Sequence, residues 1–336
     1  MPAVPLIDIS RPNEAATLID QACRETGFFC VVGHGVSNEL ATQLDRAARE
    51  FFALPTETKE WVAMSVGGRA WRGWFPLGGE LTNGIPDRKE GFYFGEELGP
   101  ADPRVAAKLP LHGPNLFPPE VPQLRDAVLA WMVEMTRVGH TLMAAISTGL
   151  GLDADWFATN LTTNPTTLFR IFHYPVEGPG DWGVAEHTDY GLLTLLMQDD
   201  CGGLQVKGRQ GWVDVEPIAN ALVCNIGDML ERLSGGRYRS TPHRVRNSSG
   251  RQRLSFPFFF DPTWNARVPS LPIVGADHTH APRWDGASVF DFDGTYGEYL
   301  VNKVSKVFPD LIRSTSCEQS GAANLMLCQK PSCEYP

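Results

Sequence analysis

The chain has 336 residues and a formal net charge of −10, with a pI near 5.3, a balance that excludes a general nucleic-acid binder, which needs a basic face. Hydrophobic residues make up 43% and charged residues 20%, the proportions of a globular chain with room for a sizeable core. No apolar run approaches the roughly 18 residues of a membrane span, and the opening MPAVPLIDIS lacks the basic and apolar regions of a signal peptide. Seven cysteines, an odd number with no Cys-x-x-Cys pair, fit reduced thiols in a cytoplasmic protein, not a disulfide framework or a zinc ribbon.

Residues 5–9 (PLIDI) predict a short strand, residues 14–26 a helix, and residues 27–36 (GFFCVVGHGV) a buried strand ending in a glycine turn where His34 is structural. Ser37 is placed to cap a helix whose apolar residues Leu40, Leu44, Ala47, Ala48 and Phe51 share one face. Pro55-Thr56 opens a further helical turn. Over 64–120 glycine and proline are frequent and aromatics dense, which predicts long loops with short strands of the kind that carry substrate contacts. In that stretch Arg69 and Arg72 are candidates to meet an acidic substrate. Phe75 and Phe92 are candidates for pocket walls, with plain core packing as the alternative.

Leu124, Val128, Met135, Leu142, Ile146 and Leu150 keep helical spacing and predict a long helix over 121–150 that packs on a sheet. From 165 to 262 the chain breaks into short segments rich in β-branched and aromatic residues with turn residues between them, the pattern of a sandwich, barrel or jelly roll. Within it NIGD (225–228) reads as a turn with Asp228 structural. A last helix is expected near 296–307, and the close pair His278 and His280 reads as surface loop. Three regions follow: 1–120, a 121–312 β domain with its long support helix, and a 313–336 tail outside the site.

The chemistry begins at AEHTDYGLLTLLMQDD, residues 185–200. His187 and Asp189 are two apart, so on an extended backbone both reach one side. They stand just before a run that reads as buried strand, where such a pair needs a partner or a metal. On their own they also fit a salt-bridged pair. His243, in the later strand segment STPHRVRN, supplies a third ligand type. Two imidazoles and one carboxylate with positions left open make the facial triad of non-haem Fe(II) oxygenases, whereas a structural zinc site closes all its positions. Beyond the turn NSSG (247–250), Arg253 and Ser255 are again two apart. An inward arginine fork beside a hydroxyl suits one carboxylate. A metal with open positions and a carboxylate anchor behind it would both be satisfied by 2-oxoglutarate. His173 points away from Tyr174's side of its strand and reads as packing.

With those residues in place the chain resembles the iron- and 2-oxoglutarate-dependent oxygenases of the isopenicillin N synthase-like superfamily. The resemblance runs through PLIDIS, GFFCVVGHGV and DRKEGFYFG, then FRIFHYP, HTDYGLLTLLMQDDCGGLQV, NIGDMLERLSGGRYRSTPHRV and RLSFPFFFDP. It implies a mainly β fold with flanking helices, a double-stranded β-helix (jelly-roll) core, and a residue 1–120 region of the non-haem dioxygenase type. It implies His187, Asp189 and His243 as Fe(II) ligands, and Arg253, Ser255 and Tyr174 on the distal carboxylate of 2-oxoglutarate. Many plant members have Asn two positions before that tyrosine; here Phe172 stands there and becomes a further substrate-side candidate. The implied reaction couples O2-dependent decarboxylation of 2-oxoglutarate to succinate and CO2 with oxidation of a C–H bond of a small molecule, of the kind used in secondary metabolism. Hydroxylation is the default, and desaturation or ring closure use the same residues. The expected partner is the small-molecule substrate alone, with no nucleic acid, no membrane, and a monomer or weak homo-oligomer. Two alternatives stay open at this point: an iron oxidase of the same fold in which Arg253 and Ser255 hold the substrate's own carboxylate, and a non-catalytic binding protein.

Overall fold

The computed structural model describes residues 4–176, 182–208, 210–269, 271, 286 and 288–308; the expectations for His278, His280 and the 313–336 tail fall outside them. The strands are β1 (Leu6–Asp8), β2 (Phe28–Val32), β3 (Gly73–Phe75), β4 (Leu81–Thr82), β5 (Ile85–Pro86), β6 (Glu90–Gly95), β7 (Pro165–Tyr174), β8 (Val184–His187), β9 (Leu193–Gln198), β10 (Leu204–Gly208), β11 (Gly211–Asp214), β12 (Leu222–Ile226), β13 (His243–Val245) and β14 (Arg253–Thr263). Eight of them form one sheet in the order β1-β2-β12-β9-β14-β7-β6-β3, and four form a second in the order β11-β10-β13-β8. Apart from the parallel β1–β2 pair, the pairings within these two sheets are antiparallel. The fold is the expected jelly roll with flanking helices.

The helices are α1 (Pro12–Glu25), α2 (Asn38–Phe52), α3 (Thr56–Lys59), α4 (Pro103–Ala106), α5 (Gln123–Gly149), α6 (Trp156–Asn160), α7 (Asp228–Leu233) and α8 (Tyr296–Val307). Helix α2 starts where the sequence places its cap: Ser37 Oγ accepts from the N–H groups of Glu39 and Leu40 at 3.1 and 3.4 Å. Helix α5 packs on α1 and α2 and against β7, β9 and β14. Gly139 makes the last contact close, since a Cβ there would fall 2.5 Å from the Phe260 ring. Helix α8 opens with a capping box, Thr295 and Glu298 each serving the other's backbone.

Along β14 the period of two divides the chain cleanly. Leu254, Phe256, Phe258 and Phe260 enter the hydrophobic core, while Arg253, Ser255, Pro257, Phe259 and Asp261 line a cavity. β7 does the same with Leu168, Arg170, Phe172 and Tyr174 on the cavity side. His173, on the other face, has its Nδ1 2.8 Å from Glu90 Oε1 and stacks on Phe52.

The NIGD turn is corrected. Asn225 lies inside β12, hydrogen-bonded between β2 and β9, and Asp228 opens α7. The apolar residues around Asn225 carry it into the sheet, and the turn chemistry of its side chain is overridden by tertiary pairing. Asp228 does have a structural role: buried, it accepts from Tyr299 Oη of α8 at 3.0 Å.

Candidate active site

β8 and β13 are antiparallel neighbours with His187 directly opposite His243. Asp189 lies just past the end of β8, held by its carbonyl, which accepts from the Asp228 N–H at 2.8 Å. One ligand atom from each of the three residues lies within 4.8 Å of the others. The separations from Asp189 Oδ1 to the Nε2 atoms of His187 and His243, 3.9 and 3.8 Å, leave a gap that direct hydrogen bonds would close.

What surrounds the triad keeps that gap open. His187 Nδ1 lies 2.8 Å from the Ala185 carbonyl and His243 Nδ1 lies 3.2 Å from the Thr241 carbonyl. A carbonyl only accepts, so each Nδ1 carries the proton and each Nε2 presents a lone pair. Asp189 Oδ2 accepts from Thr194 Oγ1 at 2.5 Å and Asn225 Nδ2 at 2.7 Å, leaving Oδ1 for the histidines' side. Burial pushes the Asp189 carboxyl up, but His243, His187 and those two hydrogen bonds outweigh it and hold it below the usual value. Burial, with the His187 ring beside it, lowers His243 to about 4 and keeps its ring neutral. Two imidazoles whose Nδ1 atoms are taken by carbonyls and one carboxylate, aimed at a common point, fit Fe(II).

On the opposite sheet Arg253 pairs in register with Tyr174, and Ser255 with Phe172. Arg253 is fully buried. Its Nε donates to the Gly202 carbonyl at 2.6 Å and its Nη2 to Gln198 Oε1 at 3.5 Å, while Nη1 has no hydrogen-bond partner. The guanidinium lies 4.7 Å over the Tyr174 ring, and the Ser255 and Tyr174 hydroxyls are 3.4 Å apart. An orphaned guanidinium nitrogen beside two hydroxyls is a cradle for a carboxylate. All six residues line one cavity of about 470 Å³.

Of the five substrate-side candidates, Phe172 lines this cavity. The structure places the other four elsewhere. Arg69 is half-buried and donates to the Lys108 carbonyl at 3.4 Å. Arg72 is buried and donates to the Leu111 carbonyl at 2.8 Å, on the wall of a second cavity of about 350 Å³ with Glu96, Arg104 and His112; burial, only partly offset by Glu97 and Glu96, lowers it to about 10. Phe75 lies behind Phe172, ring centroids 6.4 Å apart, and Phe92 is core, stacked on Phe94 at 4.4 Å. The aromatic density of 64–120 leaves pocket wall and core as alternatives, and the pairing of β3 with β6 and β6 with β7 decides between them.

The sequence reading missed the residues that complete the cavity: Thr194 and Asn225 under Asp189, Arg170 and Glu80 farther along, and Lys303 from α8. Period-two alternation from Tyr174 would have turned Arg170 inward; no local signal points to Glu80 or Lys303.

Comparison with known proteins agrees with this geometry. Residues 4–120 match the family "non-haem dioxygenase in morphine synthesis N-terminal", and residues 165–262 match the "2OG-Fe(II) oxygenase superfamily". A Dictyostelium discoideum protein named "probable iron/ascorbate oxidoreductase" is 45% identical over 87% of this chain and 88% of its own. A 1-aminocyclopropane-1-carboxylate oxidase of Dictyostelium mucoroides is 35% identical over 94% and 98%. Among solved structures, a full-length Neurospora crassa protein in complex with alpha-KG superposes with a TM-score of 0.73 at 28% identity, covering 90% of this chain and 96% of that one. Together with the triad, these similarities show that the chain belongs to the 2OG-Fe(II) oxygenase superfamily and is a non-haem Fe(II)/2-oxoglutarate dioxygenase.

Proposed function

We propose that the protein hydroxylates a C–H bond of a small molecule, with His187, Asp189 and His243 holding Fe(II) and with Arg253, Ser255 and Tyr174 holding the distal carboxylate of 2-oxoglutarate. The observation that carries the reading is the buried Arg253 Nη1, unpartnered beside two hydroxyls in the cavity that the three metal-ligand atoms share. When bound, iron and 2-oxoglutarate supply the activation of O2, with succinate and CO2 as by-products. The chain's own part is placement. Two backbone carbonyls fix the imidazole tautomers, Thr194 and Asn225 aim Asp189, and the apolar side chains of β7, β9 and β14 keep bulk water from the reacting carbon. Phe172 walls the substrate side. Desaturation or ring closure would use the same residues.

No described helix is long and apolar enough to cross a membrane. The four described cysteines, Cys23, Cys30, Cys201 and Cys224, are free thiols, which supports a reducing, cytoplasmic setting. The same reading has residues 1–120 as a supporting region, 121–312 as the catalytic domain, and the protein as a monomer or weak homo-oligomer. The test is an anaerobic titration of metal-free protein with Fe(II) and then 2-oxoglutarate, watching for the visible charge-transfer band of a chelated keto acid. Iron binding without that band would move Arg253 and Ser255 to the substrate's carboxylate and favour the oxidase alternative.

A further inference from the structure

The cavity carries a second arginine that neither the metal nor the co-substrate uses. Arg170 lies four residues before Tyr174 on β7, on the same face, so about 13 Å along the strand separates it from the level of Arg253. Its guanidinium centre lies 4.2 Å from the Tyr93 ring and 4.7 Å from the Phe259 ring, which clamps the plane. The guanidinium donates no hydrogen bond among the described residues; its one ion pair among them is a loose 3.5 Å contact from Nη1 to Glu80 Oε1. Glu80 is meanwhile committed to others: Oε1 accepts from Tyr93 Oη at 2.5 Å, and Oε2 lies 2.9 Å from Lys89 Nζ. Nε of Arg170 is enclosed without a partner, and the residue lines the cavity with its fork held only by the loose contact to Glu80. A guanidinium keeps its charge under any desolvation, and its planar fork suits a carboxylate better than any neutral group.

The surrounding charge favours the same kind of ligand. With Asp189 given to the metal and Arg253 to the co-substrate, the remaining charged residues on the cavity wall are Lys89, Arg170, Lys303 and Lys306 against Glu80 and Asp261. Lys89 is balanced by Glu80 and Asp87, and Lys303 lies 3.5 Å from Asp228 behind the wall, so among the described residues Arg170 and Lys306 are the wall cations with most attraction left for a small anion. We propose that the prime substrate is a small carboxylic acid whose carboxylate docks on Arg170, which makes Arg170 a specificity-determining residue distinct from the co-substrate anchor. The proposal rests on the Fe(II)/2-oxoglutarate reading above.

The test loads the full chain anaerobically with Fe(II) and 2-oxoglutarate and adds matched acid and amide probes: hexanoate with hexanamide, phenylacetate with phenylacetamide, L-norleucine with L-norleucinamide. Formation of the charge-transfer band before any probe is added checks the co-substrate reading alone, and its absence counts against that reading. With the band in place, at least one acid should perturb it, at a concentration about tenfold or more below its amide. Arg170→Gln should erase that preference while the band still forms at the wild-type 2-oxoglutarate concentration, which a misfolded variant would not allow. Arg170→Lys, which keeps the charge and loses the fork, should retain part of the preference. Amides acting as well as acids, no acid in the panel perturbing the band, or an acid preference that survives Arg170→Gln would each overturn the proposal.

Discussion

His187 and His243 face each other across the β8–β13 pair with ring centroids 4.2 Å apart, each with its Nδ1 at the carbonyl two residues before it. Neither ring can be lost without leaving the other beside a lone carboxylate. His243→Ala is expected to abolish turnover and to weaken Fe(II) binding by more than the roughly 10–100-fold seen for outer-shell changes. Anaerobic Fe(II) titration of the variant checks this, and near-wild-type affinity would remove His243 from the ligand set.

Asn225 and Thr194 hold the far oxygen of Asp189. Asn225→Ala should lower Fe(II) affinity by about 10–100-fold, with the charge-transfer band recovered at high iron. An unchanged iron affinity would show that Asp189 needs no second support.

Arg253→Ala removes the fork behind the co-substrate. Losing one partner of a buried charge pair costs about 2–5 kcal/mol, so half-saturation by 2-oxoglutarate should rise about thirtyfold or more, with Fe(II) affinity nearly unaltered. Titrating the band with 2-oxoglutarate in both proteins decides it; equal midpoints would sink the anchor assignment.

Asp261 sits in the cavity wall under α8, accepting from Tyr296 Oη at 2.5 Å and the Leu192 N–H at 3.2 Å. Burial raises its carboxyl to about 7 despite those two hydrogen bonds. A carboxyl raised on folding binds its proton more tightly in the native state, so its contribution is favourable below the unfolded value of 3.8 and is lost as pH rises toward 7. Asp261→Asn should therefore fall behind wild type at pH 5 and catch up by pH 8, a swing of a few kcal/mol at most, at about 1.4 kcal/mol per pH unit. Thermal melts of both proteins across that range read it directly, and parallel curves would refute it.

Lys89, buried at 1% exposure, lies 2.9 Å from Glu80 and hydrogen-bonds Asp87. Burial pushes its ammonium down, and the two carboxylates more than restore it. Lys89→Met leaves those carboxylates poorly compensated and should cost about 3–5 kcal/mol, read as a lower urea midpoint. Replacing Glu80 and Asp87 as well, by Gln and Asn, should recover much of that loss.

Much of this protein is readable without coordinates, for a local reason. His187-x-Asp189 and Arg253-x-Ser255 each use the two-residue period of a strand, so spacing alone puts both members on one side. Ser37, the α5 stripe and the helix near 296–307 are equally local, set by capping and by a period of 3.6. What tertiary structure decides is which face meets which. Asn225 looks like a turn residue because its side chain favours one, and it becomes a support for Asp189 only when β12 is zipped between β2 and β9. Arg72 and Arg170 are alike as residues; one is carried to a second cavity and the other to the metal's, because β7 pairs with β14 and Arg72 lies outside that pairing. The approach of α8, which brings Lys303 to a cavity built more than a hundred residues earlier in the chain around Arg170, is a long-range packing event that no window of neighbouring residues encodes.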